Sequence, residues 1–321
     1  MFMIIVNSPA KCGSSYLAKL LQEVVEAAGF RDTRATLEEY GLSAPLVGHA
    51  DVDNWTAEIA GKFMIPVLEG KPLVLKTHQC RMPPFERMLL HPNVHMVLLS
   101  RDPRDCAVSA RDAGVNNRKM GGNGEPFDNI FTIRDAIEFT NQYLSVFRDW
   151  IDDNTVFHAR YEDLVSEPAS LIRNIFEITE NYACLRSSLI EGVVANLKQQ
   201  IADEANVELR QRIRFNAGTV GRYASEFSDE DTLFGERVFG DVLDRMKYSD
   251  SVVSRWVTRS TGGQLNVGEV QALKEELNYQ KIYTESIRAQ VDRLQDTNTT
   301  YLRRILELEL MTMTVGRPSG E

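Results

Sequence analysis

The stretch that most constrains the fold lies near the start of the chain: IIVNSPAKCGSSYLAKLL, residues 4 to 21. Residues 3–7 are apolar and largely β-branched, which reads as a buried strand. A Ser-Pro turn follows, then Lys11, Cys12, Gly13, Ser14, Ser15 and Tyr16. Leu17, Leu20, Leu21, Val24 and Val25 recur at helical spacing, so an amphipathic helix starts near Ser14. Strand, loop and helix in that order turn unpaired N–H groups and a partial positive charge toward whatever the loop encloses, which favours an anion. Gly13 lets the backbone turn closely, the two serines add hydroxyl donors, and Lys11 adds a full charge. The loop resembles a nucleotide-binding P-loop but lacks the G-x-x-x-x-G-K-[ST] order, because its Lys precedes its Gly. Taken alone, it is also compatible with an ordinary strand-to-helix turn carrying an exposed Lys.

Three further strands are expected, in PLVLKTH (72–78), VHMVLLSRD (94–102) and TVFHARYEDL (155–164), with a helix from about Ile133 to Trp150 between the last two. Alternation of strands and helices predicts an α/β fold, a P-loop-like parallel sheet flanked by helices. Ligands of such sheets sit at the carboxyl ends of the strands. Lys76 and His78 stand there on one side of an extended chain. Arg101 ends the next strand, with Ser109 two helical turns beyond. Histidine suits general-base work near neutral pH, and arginine suits bidentate contact with a phosphate. Each has a plain alternative: a solvated loop His, and an Arg paired with Asp102 or Asp105.

The 321 residues carry 46 acidic against 36 basic side chains, a net charge of −10. That argues against non-specific binding of nucleic acid, which needs a basic surface, whereas a small anionic ligand needs only a local basic pocket. The four cysteines form no C-x-x-C pair, and there is no zinc spacing and no H-E-x-x-H, so reduced thiols and no metal are expected. No apolar run approaches the ~18 residues of a membrane span, and the N-terminus enters a strand without a signal pattern. A cytoplasmic location is therefore expected. Cys12, at a helix start beside Lys11, has reasons for a lowered pKa and is expected to react, and a buried inert Cys stands as the equal alternative.

Together these motifs resemble the sulfotransferases that use 3′-phosphoadenosine-5′-phosphosulfate. That family's P-K-x-G-T-T-W loop is approached by PAKCGSSY, one residue longer, and its K-T-H stands unchanged at 76–78. Its R-x-P-x-D-x-x-V-S stands as RDPRDCAVS (101–109), its Y-E-D at 161–163, and its late glycine motif as NAGTVGRY (216–223). The order holds over about residues 3–250. The resemblance implies that residues 11–16 hold the 5′-phosphosulfate and that His78 takes the acceptor's proton. It further implies that Lys11 stabilises the bridging oxygen and that Lys76 assists the transferring group. Arg101 and Ser109, with the backbone of Gly218, would hold the 3′-phosphate, and Tyr161 would contact the adenine. Asn216 and Ala217 replace the family's basic pair, leaving Arg212 or Arg214 as nearby cations. Tyr16 and Tyr223 replace tryptophans and offer smaller faces for stacking. The product would be adenosine 3′,5′-bisphosphate. A small molecule, a sugar or a peptide remains open as acceptor, its pocket built from loops 33–65 and 112–135, the second glycine-rich and suited to a lid. The rival readings are an ATP-dependent small-molecule kinase, which needs an acidic magnesium ligand, and a catalytically silent nucleotide-binding scaffold.

Beyond a domain read over 1–260, residues 261–265 read as a linker, 266–310 as a coiled-coil helix and 311–321 as a tail. Asn266 and Glu269 form a capping box. Val270, Leu273, Leu277, Gln280, Thr284, Ile287, Val291, Leu294, Asn298, Tyr301, Ile305 and Leu308 alternate in steps of three and four, with polar Gln280 and Thr284 weakening the middle. That is an a/d seam, with Asn298 at an a position, and it predicts a homodimer or a trimer.

Overall fold

In the computed structural model, strand β1 (Met3–Asn7) is buried along its whole length. The chain continues through α1 (Ser14–Ala27), α2 (Thr33–Glu39), the short strands β2 (Leu46–Val47) and β3 (Asp51–Val52), and α3 (Ala57–Leu68). Next come β4 (Leu73–Thr77), α4 (Pro83–Leu89), β5 (Val94–Ser100), α5 (Pro103–Lys119), a 3-10 turn (Pro126–Asn129) and α6 (Ile133–Ile151). β6 (Phe157–Arg160) leads into α7 (Tyr161–Ser166), α8 (Pro168–Glu177), α9 (Ser187–Ala202), α10 (Val207–Arg212), α11 (Tyr223–Glu226) and α12 (Asp229–Arg245). The structure describes residues 2–42, 46–47, 51–52, 55–122, 126–179, 186–203, 205–212 and 218–248. Chain contacts divide the molecule into two units, Met1–Ser251 and Val252–Glu321. The coiled-coil reading of 266–310, with its linker and tail, lies outside the described residues.

The sheet order is β2-β3-β4-β1-β5-β6. Five strands, β3 to β6 with β1 in their midst, run parallel, and helices flank them. The sixth departs from the expected parallel sheet: β2 pairs antiparallel to β3. Two-residue strands are too short to leave a periodic trace in sequence.

Alternation along β1 divides the core. Ile4 and Val6 join Val74, Val97 and Leu99 on one face, where Leu17, Leu20 and Leu21 of α1 cover them with Ile175 of α8 and Leu197 of α9. Met3 and Ile5 join Leu73, Leu75, Met96 and Leu98 on the other, under Phe63 of α3, Phe85 of α4 and Phe147 and Trp150 of α6. A third cluster ties α5 and α6 to α12 through Ala107, Ala110, Ile137, Leu144, Phe239 and Val242. Both α6 and α12 begin in a capping box, Thr132 with Asp135 and Ser228 with Asp231.

Two local expectations need correction. The strand read over 155–164 occupies only Phe157–Arg160, and Tyr161 begins a helix. Pairing with β5 ends at Ser100 opposite Arg160, and Glu162 and Asp163 then suit the first turn of α7. The segments read as loops at 33–65 and 112–135 hold α2, most of α3, the last turns of α5 and the start of α6. Among the described residues, no helix is long and apolar enough to cross a membrane.

Candidate active site

Register places Asn7 beside Thr77 of β4 and Leu98 of β5, so the segments after β1, β4 and β5 leave one edge of the sheet together, joined by the end of β6. The first of them is the loop before α1. Gly13 has φ 90°, a left-handed conformation, and a Cβ there would lie 2.8 Å from ring carbons of Tyr161. Only glycine serves both needs. Lys11 is also left-handed, at φ 68°. Its carbonyl accepts a hydrogen bond from Arg101 Nη1 at 3.2 Å, and its ammonium lies 5.2 Å from the centre of the Phe127 ring.

β4 delivers the second group. Lys76 is buried, with Nζ 2.8 Å from Asp51 Oδ1, and it donates to Ser15 Oγ at 3.1 Å. Asp51 comes from β3, directly opposite Lys76 in the register. His78 Nδ1 lies 2.7 Å from the carbonyl oxygen of Ser8. A carbonyl only accepts, so Nδ1 carries the proton and Nε2 is the acceptor nitrogen of the neutral ring. The chain just beyond is braced: Gln79 exchanges hydrogen bonds with the Asn7 side chain at 3.0 and 3.2 Å, and its carbonyl accepts from Trp150 Nε1 at 3.1 Å.

β5 and α5 deliver the third. Arg101 is buried, stacks 4.1 Å from the Tyr161 ring centre and donates from Nη2 to the Thr219 carbonyl at 3.0 Å. Its buried Nε has no hydrogen-bond partner among the described residues, and its Nη2 lies 3.8 Å from Asp105 Oδ2. One turn on, the carboxylate of Asp105 accepts from the backbone N–H of Gly221 at 2.7 Å and of Tyr223 at 3.0 Å. Asp105 thus anchors the late glycine loop, in which Gly218 and Gly221 have φ 64° and 75°.

These segments enclose a cavity of about 480 Å³. Lys11, Gly13, Ser14, Ser15, Tyr16, Lys76, His78, Arg101, Ser109, Tyr161 and Gly218 all line it. Burial, then the neighbouring Tyr161 hydroxyl, pushes Tyr16 up to about 12, and burial also raises Tyr161, so both remain neutral at physiological pH.

The sulfotransferase domain model matches residues 3–247. The chain belongs to that family. Solved structures similar to it include retinol dehydratase in complex with androsterone and inactive cofactor PAP, 19% identical, covering 75% of this chain and 80% of that chain at a TM-score of 0.46. Mouse sulfotransferase SULT7A1 complexed with PAP is 15% identical, covering 82% and 89%, also at 0.46. The sulfotransferase domain from the curacin biosynthetic pathway is 14% identical, covering 56% and 74%, at 0.31. A search of curated proteins finds no match.

In this sulfotransferase domain, three sequence expectations are revised or left aside. Cys12 does not reach the cavity: its side chain is 1% exposed and lies in the core, with Sγ 3.6 Å from Sγ of Cys106. Burial, then the bond to Cys12, raises the Cys106 thiol well above its ordinary pKa. A thiol shut in the core is inert, which opposes the expected reactivity of Cys12. Tyr223 is not among the cavity residues; it packs against Arg104, whose guanidinium lies 4.0 Å from its ring centre. Arg214 lies outside the described residues.

Sequence reasoning missed other members. Phe127, Leu164, Val165, Lys198, Ile201, Ala202, Arg210 and Arg222 also line the cavity. None belongs to a motif position with an assigned role. Asp51 and Asp105 stand behind the cavity, and only Asp105 had a signal, as the acid in RDPRDCAVS.

Proposed function

We propose that this sulfotransferase moves a sulfuryl group from 3′-phosphoadenosine-5′-phosphosulfate to a hydroxyl or amine of a small molecule, sugar or peptide. One observation carries the reading. In a protein of net charge −10, the described residues lining the cavity include Lys11, Lys76, Arg101, Lys198, Arg210, Arg222 and His78, and no carboxylate. Such a lining suits a polyanion. It offers no acidic ligand of the kind an ATP-dependent kinase uses for magnesium.

The donor supplies a sulfuryl group on a good phosphate leaving group. The remaining demands fall on the protein. His78, with Nδ1 held by Ser8, presents Nε2 to accept the acceptor's proton. Lys11 and the N-terminal N–H groups of α1 stabilise the charge that grows on the bridging oxygen. Lys76, held between Asp51 and Ser15, keeps its ammonium at the transferring group without having to be ordered during reaction. Arg101 and Ser109 take the 3′-phosphate, and Tyr16 and Tyr161 flank the base. The test is transfer of labelled sulfate from the donor to a panel of alcohols, phenols, amines, sugars and tyrosine peptides, without added divalent metal. Turnover supports the reading. Magnesium-dependent transfer from γ-labelled ATP, with none from the sulfate donor, overturns it.

A further inference from the structure

The donor proposed above ends in a 3′-phosphate, and the family's basic pair for that end is Asn216 and Ala217 in this chain. Arg222, near in sequence, has its guanidinium 2.8 Å from Asp112 and 2.6 Å from Glu226. Two other cations border the same cavity from elements that carry no recognised motif, Lys198 on α9 and Arg210 on α10. Their placement is built into the fold. Ile190, Val194, Leu197 and Ile201 seat α9 in the core that covers α1. Lys198 follows Leu197 on the rim of that buried stripe, and Ile201 and Ala202, three and four residues on, line the cavity with it. Leu209 is buried in the same core and seats α10, which brings Arg210 to the cavity. Both cations therefore stand on the α1 and α7 side, with Tyr16, Tyr161, Leu164 and Val165, the side proposed for the nucleoside. Lys76 and His78, proposed for the sulfate end, come from β4.

We infer that Lys198 and Arg210 are the cations that complete recognition of the donor's nucleoside 3′-phosphate, in place of the basic pair at 216 and 217. The inference rests on the donor reading above. Two flexible cations on helices replace two on the glycine loop, so that loop can hold the ligand through backbone N–H groups alone.

The experiment is calorimetric titration of the full chain with adenosine 3′,5′-bisphosphate and, separately, with 5′-AMP. The variants are Lys198→Gln, Arg210→Gln and the double substitution, each checked for an unchanged thermal midpoint. Because Lys198 is exposed, the Lys198→Gln variant keeps the test informative even if Arg210→Gln unfolds. The double variant should lose roughly ten- to a hundredfold in affinity for the bisphosphate, as expected for charged phosphate contacts. Lys198→Gln alone should lose roughly two- to fivefold. AMP affinity should change less than about twofold, within the scatter of surface substitutions. Unchanged bisphosphate affinity in the folded variants overturns the inference and leaves the donor reading standing. Equal losses for both nucleotides overturn it as well, since the 3′-phosphate would then not be what the cations read. If the unsubstituted chain fails to bind the bisphosphate at all, the donor reading falls and takes the inference with it.

Discussion

At the residue scale, the proposed roles separate groups that bind from one that reacts. His78 is held through Nδ1 and by the braced chain beyond it, so its removal should leave the nucleotide's contacts in place. His78→Ala should lower transfer by roughly 10²–10⁴-fold, the usual contribution of a positioned base, with bisphosphate affinity unchanged. Rates with labelled donor, read beside calorimetry, check this. A variant keeping more than about a tenth of the rate would remove His78 from the role of base, given that range. Arg101 is a poorer probe of the 3′-phosphate than its motif suggests. It also ties the carbonyls of Lys11 and Thr219 and stacks on Tyr161, so Arg101→Ala should loosen both loops and weaken AMP as well. Ser109 is buried and lines the cavity from α5. Ser109→Ala should weaken the bisphosphate by about 1.5–3 kcal/mol, as for a hydrogen bond to a charged group, and spare AMP. Equal loss for both nucleotides would place Ser109 elsewhere than at the 3′-phosphate.

At the element scale, α6 backs the site by carrying Trp150 to the Gln79 carbonyl. Its start is a reciprocal cap: Thr132 Oγ1 accepts from Asp135 N at 3.1 Å, and the Asp135 carboxylate accepts from Thr132 N at 2.8 Å and Phe131 N at 3.0 Å. The Thr132 N–H foremost, with the Phe131 N–H and the Thr132 hydroxyl, holds the Asp135 carboxyl below its usual range against the opposing effect of burial, which outweighs the Phe131 contact alone. A folded pKa below the unfolded one stabilises the fold above the unfolded value, near 4, and that contribution is lost as pH falls through the lower folded value. The stability gap between the natural chain and Asp135→Ala should therefore be constant near neutral pH and shrink below pH ~4. Urea unfolding midpoints across that range measure it, and a gap that widens in acid would contradict the assignment. Thr132→Ala should cost ~1 kcal/mol, the ordinary value of an N-cap.

At the scale of the whole molecule, every residue given a role in donor binding or transfer precedes residue 223, and the family match ends at residue 247. The a/d pattern of 266–310 lies wholly beyond it. The pattern has mostly β-branched residues at a and leucines at several d positions, which favours two parallel strands, with Asn298 to set register. We expect the full chain to be a dimer, or a trimer, and a chain ending at Leu265 to be an active monomer. Light scattering and the labelled-donor assay check both halves. A monomeric full chain, or an oligomeric truncation, would show that this segment is not the assembly element.

Local patterns in the chain mark the strands β1, β4 and β5, the start of α1, and the placing of Lys11, Lys76, His78, Arg101 and Ser109 at strand ends or the helix beyond. Those features are local: hydrophobic periodicity marks an element, and polar residues at its end mark where ligands approach. The sequence also carried the family motifs in order. The tertiary structure alone decided what pairs across the chain. Asp105 caps the N–H of Gly221, 116 residues away, and Lys76 meets Asp51 only because β3 lies beside β4 in one register. Cys12 and Gly13 are neighbours in sequence, yet one side chain enters the core and the other position abuts Tyr161, because a left-handed turn separates their directions. Lys198 and Arg210 reach the cavity through the packing of α9 and α10, to which no local pattern points. Periodicity tells a chain which faces to bury, but the neighbour each face meets depends on strand order and helix packing, which are properties of the folded molecule.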